Sequence, residues 1–213
     1  MDVIPSINCK DDACVLEKIN VLKKFLEPGA FVHCDVTDGV FSQHITWGDP
    51  RAWAAIKSPF ALEVHLMVEF PLEYADDWFA AGARRLIVHA ETLSGGALHG
   101  LLEVADRHQG ELMLSSRPET TNDEIHALIP RFAKFQVLAV APGAAGQEFL
   151  PFALEKMRFL REMSPDATIE VDGGINPQTA RLAKSAGADT VVSAHYLFDN
   201  ADPKKAFEDL KNI

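Results

Sequence analysis

The chain has 213 residues, 47% of them hydrophobic and 24% charged, which fits an ordinary globular domain able to bury its core without metal or disulfide staples. Its formal net charge of -11 argues against nucleic acid or an anionic membrane as a partner, while a small anion could still be held locally by backbone amides. The 3 cysteines show no Cys-x-x-Cys spacing and point to neither a disulfide framework nor a zinc ribbon.

The opening residues lack the basic and apolar regions of a signal peptide, and no apolar run approaches the roughly 18 residues of a membrane span. The cytoplasm is therefore the expected location. In chain order, short β-branched runs predict strands over 2–6, 30–36, 61–68, 85–90, 111–114, 134–141, 168–171 and 190–193. Helix-length segments separate them. In the first, Val15, Ile19, Leu22 and Leu26 recur at three- and four-residue steps. Farther on, Asn176-Pro177 supplies an N-cap and a proline at the first helical position. Strand–helix units in unbroken succession predict a single α/β domain over residues 1–213, a (β/α)8 TIM barrel. A doubly wound open sheet would use fewer strands or carry a Gly-rich nucleotide turn after the first, where this chain has Asn8-Cys9-Lys10.

Barrel enzymes place their chemistry at the C-terminal ends of the strands. His33 and Asp35 share one strand face because side chains alternate, and Cys34 between them faces the other way. His65 lies near the end of the third strand, with Met67 two residues on, and Asp172 follows the seventh, just before Gly173-Gly174. His33, Asp35, His65 and Asp172 would make a mixed nitrogen–oxygen site suited to Zn, Mn, Fe or Co rather than Ca. Taken singly, each has a plain structural reading as a hydrogen-bonded histidine or a turn former. Glu63, Glu170, His89 and Glu91 share the inward parity and either orient the ligands or form a satisfied polar layer. Glycine-bearing turns follow strands six and seven, at 141–147 and 172–174, where barrels often bind phosphate.

Four segments together resemble the ribulose-phosphate 3-epimerase family. They are His33-Cys34-Asp35-Val36-Thr37-Asp38-Gly39, Val64-His65-Leu66-Met67-Val68, Pro142-Gly143-Ala144-Ala145-Gly146-Gln147 and Val171-Asp172-Gly173-Gly174. Pro5-Ser6-Ile7 is similar to the family's opening strand. The resemblance implies a barrel of the ribulose-phosphate-binding type, one divalent metal, no organic cofactor, and inversion of the carbon beside the ketone of a sugar phosphate. It implies His33, Asp35, His65 and Asp172 as metal ligands and Asp35 with Asp172 as the acid–base pair. Ser6, Met67, Gly143, Gly146, Gln147, Gly173, Gly174, Ala194 and His195 fall at substrate positions.

The departures gather at the substrate end. The family usually has Met at Thr37, Pro-Asn at Gln43-His44, Phe-Gly at Ala144-Ala145, and Ala-Gly-Ser-Ala at Ser193-Ala194-His195-Tyr196. The last change replaces the family's Gly-Ser phosphate grip with a methyl group and an imidazole, which, if protonated, could supply charge to a phosphate. Three alternatives follow: an epimerase of a different or unphosphorylated ketose, a non-catalytic sugar-phosphate-binding paralogue, and another barrel enzyme. A Schiff-base aldolase would need a lysine at a strand's C-terminal end, yet Lys134 begins its strand. The related decarboxylases' Asp-x-Lys-x-x-Asp motif is absent from the second-strand segment. A sugar or sugar phosphate is the expected partner, and homo-oligomerisation is left open.

Overall fold

The computed structural model describes residues 1–143 and 146–213, so Ala144 and Ala145 lie outside the described residues. The strands are β1 (Asp2–Pro5), β2 (Phe31–Thr37), β3 (Ala61–Met67), β4 (Ala83–His89), β5 (Glu111–Ser115), β6 (Lys134–Leu138), β7 (Thr168–Asp172) and β8 (Thr190–Ser193). They form one 8-stranded sheet in the order β1-β8-β7-β6-β5-β4-β3-β2, with parallel pairing. With helices alternating along the chain, the architecture is a (β/α)8 barrel.

Chain contacts divide into two compact units, Ser6–Leu112 and Met1–Pro5 with Met113–Ile213. Within the first, every residue of β3 is buried, as expected of a parallel strand covered on both faces. The helix Asp12–Leu22 starts where the Asp11 side chain accepts from the Cys14 amide, and it buries Val15, Ile19 and Leu22. Leu26 is buried too, but past the helix end.

Within the second unit, the helix Pro177–Ser185 is opened by Asn176, whose side chain accepts from the amides of Gln178 and Thr179, as the Asn-Pro pair predicts. β6 stops at Leu138, short of the predicted 141. Ala139 still donates to the Asp172 carbonyl, but its own carbonyl accepts from the Leu150 amide, so the chain turns off the sheet there.

The cysteines also depart from expectation. Cys9 and Cys14 form a disulfide, with Cα atoms 5.8 Å apart. The turn into the helix Asp12–Leu22 brings together two residues whose sequence spacing matched no known framework. Cys34 is the free, buried third. Among the described residues no helix is long and apolar enough to cross a membrane.

Candidate metal and active site

In the Ser6–Leu112 unit, strand register sets the site. Asp35 on β2 pairs with His65 on β3, and His33 pairs with Glu63. Alternation turns His33 and Asp35 to one face, and all three candidate ligands of this unit are buried. His33 Nε2 lies 3.2 Å from Asp35 Oδ1, and His65 Nδ1 lies 3.1 Å from the same oxygen.

The far side of each imidazole decides which nitrogen carries a proton. His33 Nδ1 lies 2.8 Å from Glu63 Oε1, so in the neutral ring it donates there and Nε2 is the unprotonated nitrogen. Glu63 is fixed in turn by Arg85, which donates to its Oε2 at 2.7 Å, reaches Glu111 at 3.1 Å and stacks 4.4 Å from the Phe31 ring. On the other flank, His89 Nδ1 faces Glu91 at 3.2 Å and donates to it. His89 Nε2 is then an acceptor, and His65 Nε2, 2.8 Å away, donates to it. The two rings stack with an interplanar angle of 12°. In the neutral His65 ring, Nδ1 is then the unprotonated nitrogen.

Two imidazole nitrogens thus face one carboxylate oxygen, and the donor atoms of His33, Asp35 and His65 lie within 4.8 Å of one another. Three electron-rich atoms out of water need a positive centre among them, either a shared proton or a cation. Burial pushes the His65 imidazole down to about 4, with Asp35 pulling upward and His89 and His33 adding to the lowering, which favours the neutral, metal-binding form at pH 7. Burial alone would raise the Asp35 carboxyl, but when His33 and His65 carry the proton that takes the cation's place, their charge and hydrogen bonds outweigh burial and hold it well below the usual carboxylate range. Burial pushes the Cys34 thiol up, and the Asp35 charge adds to the effect. The two nitrogens and the carboxylate fit a divalent transition metal.

The other Asp35 oxygen has separate partners. Ser6 Oγ and Asn8 Nδ2 each donate to Oδ2 from 3.2 Å. The Ser6↔His33 bridge and the Ile7 amide, 2.7 Å from the His33 carbonyl, place that loop. Ser6 is a predicted site residue; Asn8 is not, and nothing in its own neighbourhood signals it. Met67 ends β3, buried and on the His65 face. Glu63 lies against His33 and His89 against His65, while Glu91 meets His89 from the turn Ala90–Thr92, past the end of β4, so strand parity does not apply to it.

In the second unit, Asp172 is the last residue of β7 and is half-buried. Gly173 and Gly174 follow with φ of 103° and 65°, and a Cβ on Gly174 would come within 2.4 Å of the Phe149 backbone nitrogen. Only glycine fits that approach. Gly143 and Gly146 also have positive φ, and Gln147 Nε2 donates to the Ala141 carbonyl at 2.7 Å. A Cβ on Gly146 would lie 3.8 Å from His195 Nδ1, so these two predicted residues are neighbours. Ala194 leads into the short helix His195–Phe198 with φ of -106°, so the methyl group imposes no strain. His195 is exposed and paired with Asp199. Glu170, also predicted inward, accepts from Gln136, itself bonded to Ser115.

The model of the "Ribulose-phosphate 3 epimerase family" matches residues 2–198. A ribulose-phosphate 3-epimerase of Chlamydia muridarum is 37% identical over 205 residues, covering 92% of this chain and 87% of its own. One of Bacillus subtilis is 32% identical, covering 98% and 97%. Among solved structures, 3-hexulose-6-phosphate synthase from Salmonella typhimurium superposes with a TM-score of 0.74 at 16% identity, covering 100% of this chain and 97% of that one. KGPDC from Streptococcus mutans in complex with D-R5P gives 0.72 at 12% identity, with 99% and 95% covered. At such identities the structural likeness speaks for the barrel alone, whereas the family model and the sequence relatives speak for the lineage. The chain belongs to the ribulose-phosphate 3-epimerase family.

Proposed function

We propose that the chain is a metal-dependent 3-epimerase of a ketose phosphate, with His33, Asp35, His65 and Asp172 as ligands and Asp35 with Asp172 as the acid–base pair. The observation that carries this reading is the convergence of two buried imidazole nitrogens on one carboxylate oxygen. A bound Zn, Mn, Fe or Co ion would draw electron density from the ketone and neighbouring hydroxyl oxygens, worth several kcal/mol toward the enediolate.

The protein side chains then move the proton. Asp35 takes it from the carbon beside the ketone, and the C–H electron pair becomes the enediolate double bond. Asp172 returns a proton to that carbon from the opposite face, so the configuration inverts and no redox cofactor is needed. Ser6, through its bond to Oδ2, orients the Asp35 carboxylate. Met67 lines the apolar side of the planar intermediate. Gly143, Gly146, Gln147, Gly173, Gly174 and Ala194 offer backbone and amide groups to the phosphate end. The protein acts in the cytoplasm as one domain.

Deuterium uptake from D2O at C3 of D-ribulose 5-phosphate tests the reading, with each of the four cations in turn. Exchange is expected with at least one, and Asp172→Asn should slow it by about 10²–10⁴-fold. Absence of exchange with any ketose phosphate, or full exchange in the variant, would overturn it. A second reading has its own observation. His195 is engaged by the Asp199 carboxylate, which offsets any charge it could offer a phosphate. That favours a different or unphosphorylated ketose, and the same assay with free ketoses distinguishes the two.

A further inference from the structure

The Asp35 carboxylate is occupied on both oxygens, and the way it is occupied singles out Asn8. A carboxylate oxygen has about two lone-pair directions. Those of Oδ1 point toward His33 Nε2 and His65 Nδ1, the metal side. Those of Oδ2 take the Ser6 hydroxyl and the Asn8 amide, each at 3.2 Å. For Oδ2 to receive a proton from carbon, one of its two donors must leave.

Burial indicates which one yields. Ser6 is 1% exposed, whereas Asn8 is half-buried and has an open side. The Asn8 backbone is nonetheless tied down. Lys18 donates to its carbonyl at 2.8 Å, the next carbonyl, of Cys9, accepts from the Trp47 amide at 2.9 Å, and Cys9 is bridged to Cys14. Freedom at this position is confined to the side chain, which has two N–H groups and an acceptor oxygen to offer.

We infer that Asn8 is a substrate-contacting, specificity-determining residue of the epimerase proposed above, whose amide leaves Asp35 Oδ2 when the sugar enters and donates to the hydroxyl on the reacting carbon. In the free enzyme it holds Oδ2 in line with Ser6. In the complex it uncovers one lone pair for the incoming proton and reads the hydroxyl beside it. The C–H bond breaks, the O–H bond forms on Oδ2, and the amide remains close to both. The selected class is a ketose with a free hydroxyl next to the carbonyl, as against its deoxy or O-alkyl analogue.

The test rests on the epimerase reading and separates its failure from that of Asn8. D-ribulose 5-phosphate and its 3-O-methyl analogue are assayed for deuterium uptake by the wild type, Asn8→Leu and Asn8→Gln, with metal affinity measured by chelator competition. For the free sugar, Asn8→Leu should lower kcat/KM about tenfold, the weight of one lost neutral hydrogen bond. The preference for the free over the methylated sugar should fall by a similar factor, Asn8→Gln should recover part of both, and metal affinity should hold within about twofold because the Oδ1 side is untouched. An inactive wild type defeats the epimerase reading itself. With an active wild type, an unchanged sugar preference in Asn8→Leu, or a loss of metal affinity matching its loss of rate, overturns the role of Asn8.

Discussion

Replacing Glu63 by glutamine removes one negative charge from a place that water does not reach. Glu63 is 0% exposed and sits between two donors, His33 Nδ1 at 2.8 Å and Arg85 at 2.7 Å. The neutral amide can accept from one of them only and must turn its NH2 toward the other. Facing Arg85 with it sets donor against donor and leaves the guanidinium relying on Glu111, whose side chain is 45% exposed and screened by water. Facing His33 with it requires a bare Nδ1, which moves the imidazole proton to Nε2, where a metal ligand needs its lone pair.

Both consequences have magnitudes. Breaking a buried charge pair costs about 3–5 kcal/mol, and the isosteric amide keeps one hydrogen bond, so the lower end applies. At roughly 2–4 °C per kcal/mol for a chain of this size, Tm should fall by roughly 6–12 °C. Disturbing the partner of a metal-binding imidazole weakens the metal by about 10–100-fold. Thermal unfolding with and without Mn or Zn, together with chelator competition, reads both quantities. A variant that melts within about 2 °C of the wild type and binds metal equally well would refute the assignment of His33 Nε2 as the ligand atom.

Two other parts of the fold are open to test. Gly174→Ala should lower Tm by several degrees and abolish deuterium exchange, because φ is 65° there and the added Cβ would sit 2.4 Å from the Phe149 nitrogen; wild-type stability and exchange would show that the turn has room to adjust. Alkylation in denaturant without reductant should label Cys34 alone, and labelling after reduction should reach Cys9 and Cys14 as well; three labels before reduction would dismiss the bridge.

The barrel and most of the candidate metal site are legible in the sequence because both follow from period and position. Two-residue alternation puts His33 and Asp35 on one face, and placement near a strand's C-terminal end brings in His65. Asn8 is illegible for the opposite reason. Its role depends on meeting an oxygen 27 positions away, across a loop whose path no local pattern specifies. The Cys9–Cys14 bridge is hidden likewise, since its spacing means nothing until a helix begins between the two residues. Glu63 and His89 are half-legible: parity points them inward, but which imidazole nitrogen each one meets emerges only from distances.

Cys34 stands in the chain directly between two candidate ligands, and a thiolate there would be a strong competitor for any soft cation. The pleat prevents this. It sends the sulfur to the reverse face of β2, where burial and the nearby carboxylate keep the thiol protonated. A copper or cadmium ion reaching the cluster would therefore meet no thiolate from Cys34, and an oxidant entering by the same route would find the Met67 thioether rather than this thiol. One peptide unit of backbone insulates the site from chemistry that its own sequence places next door.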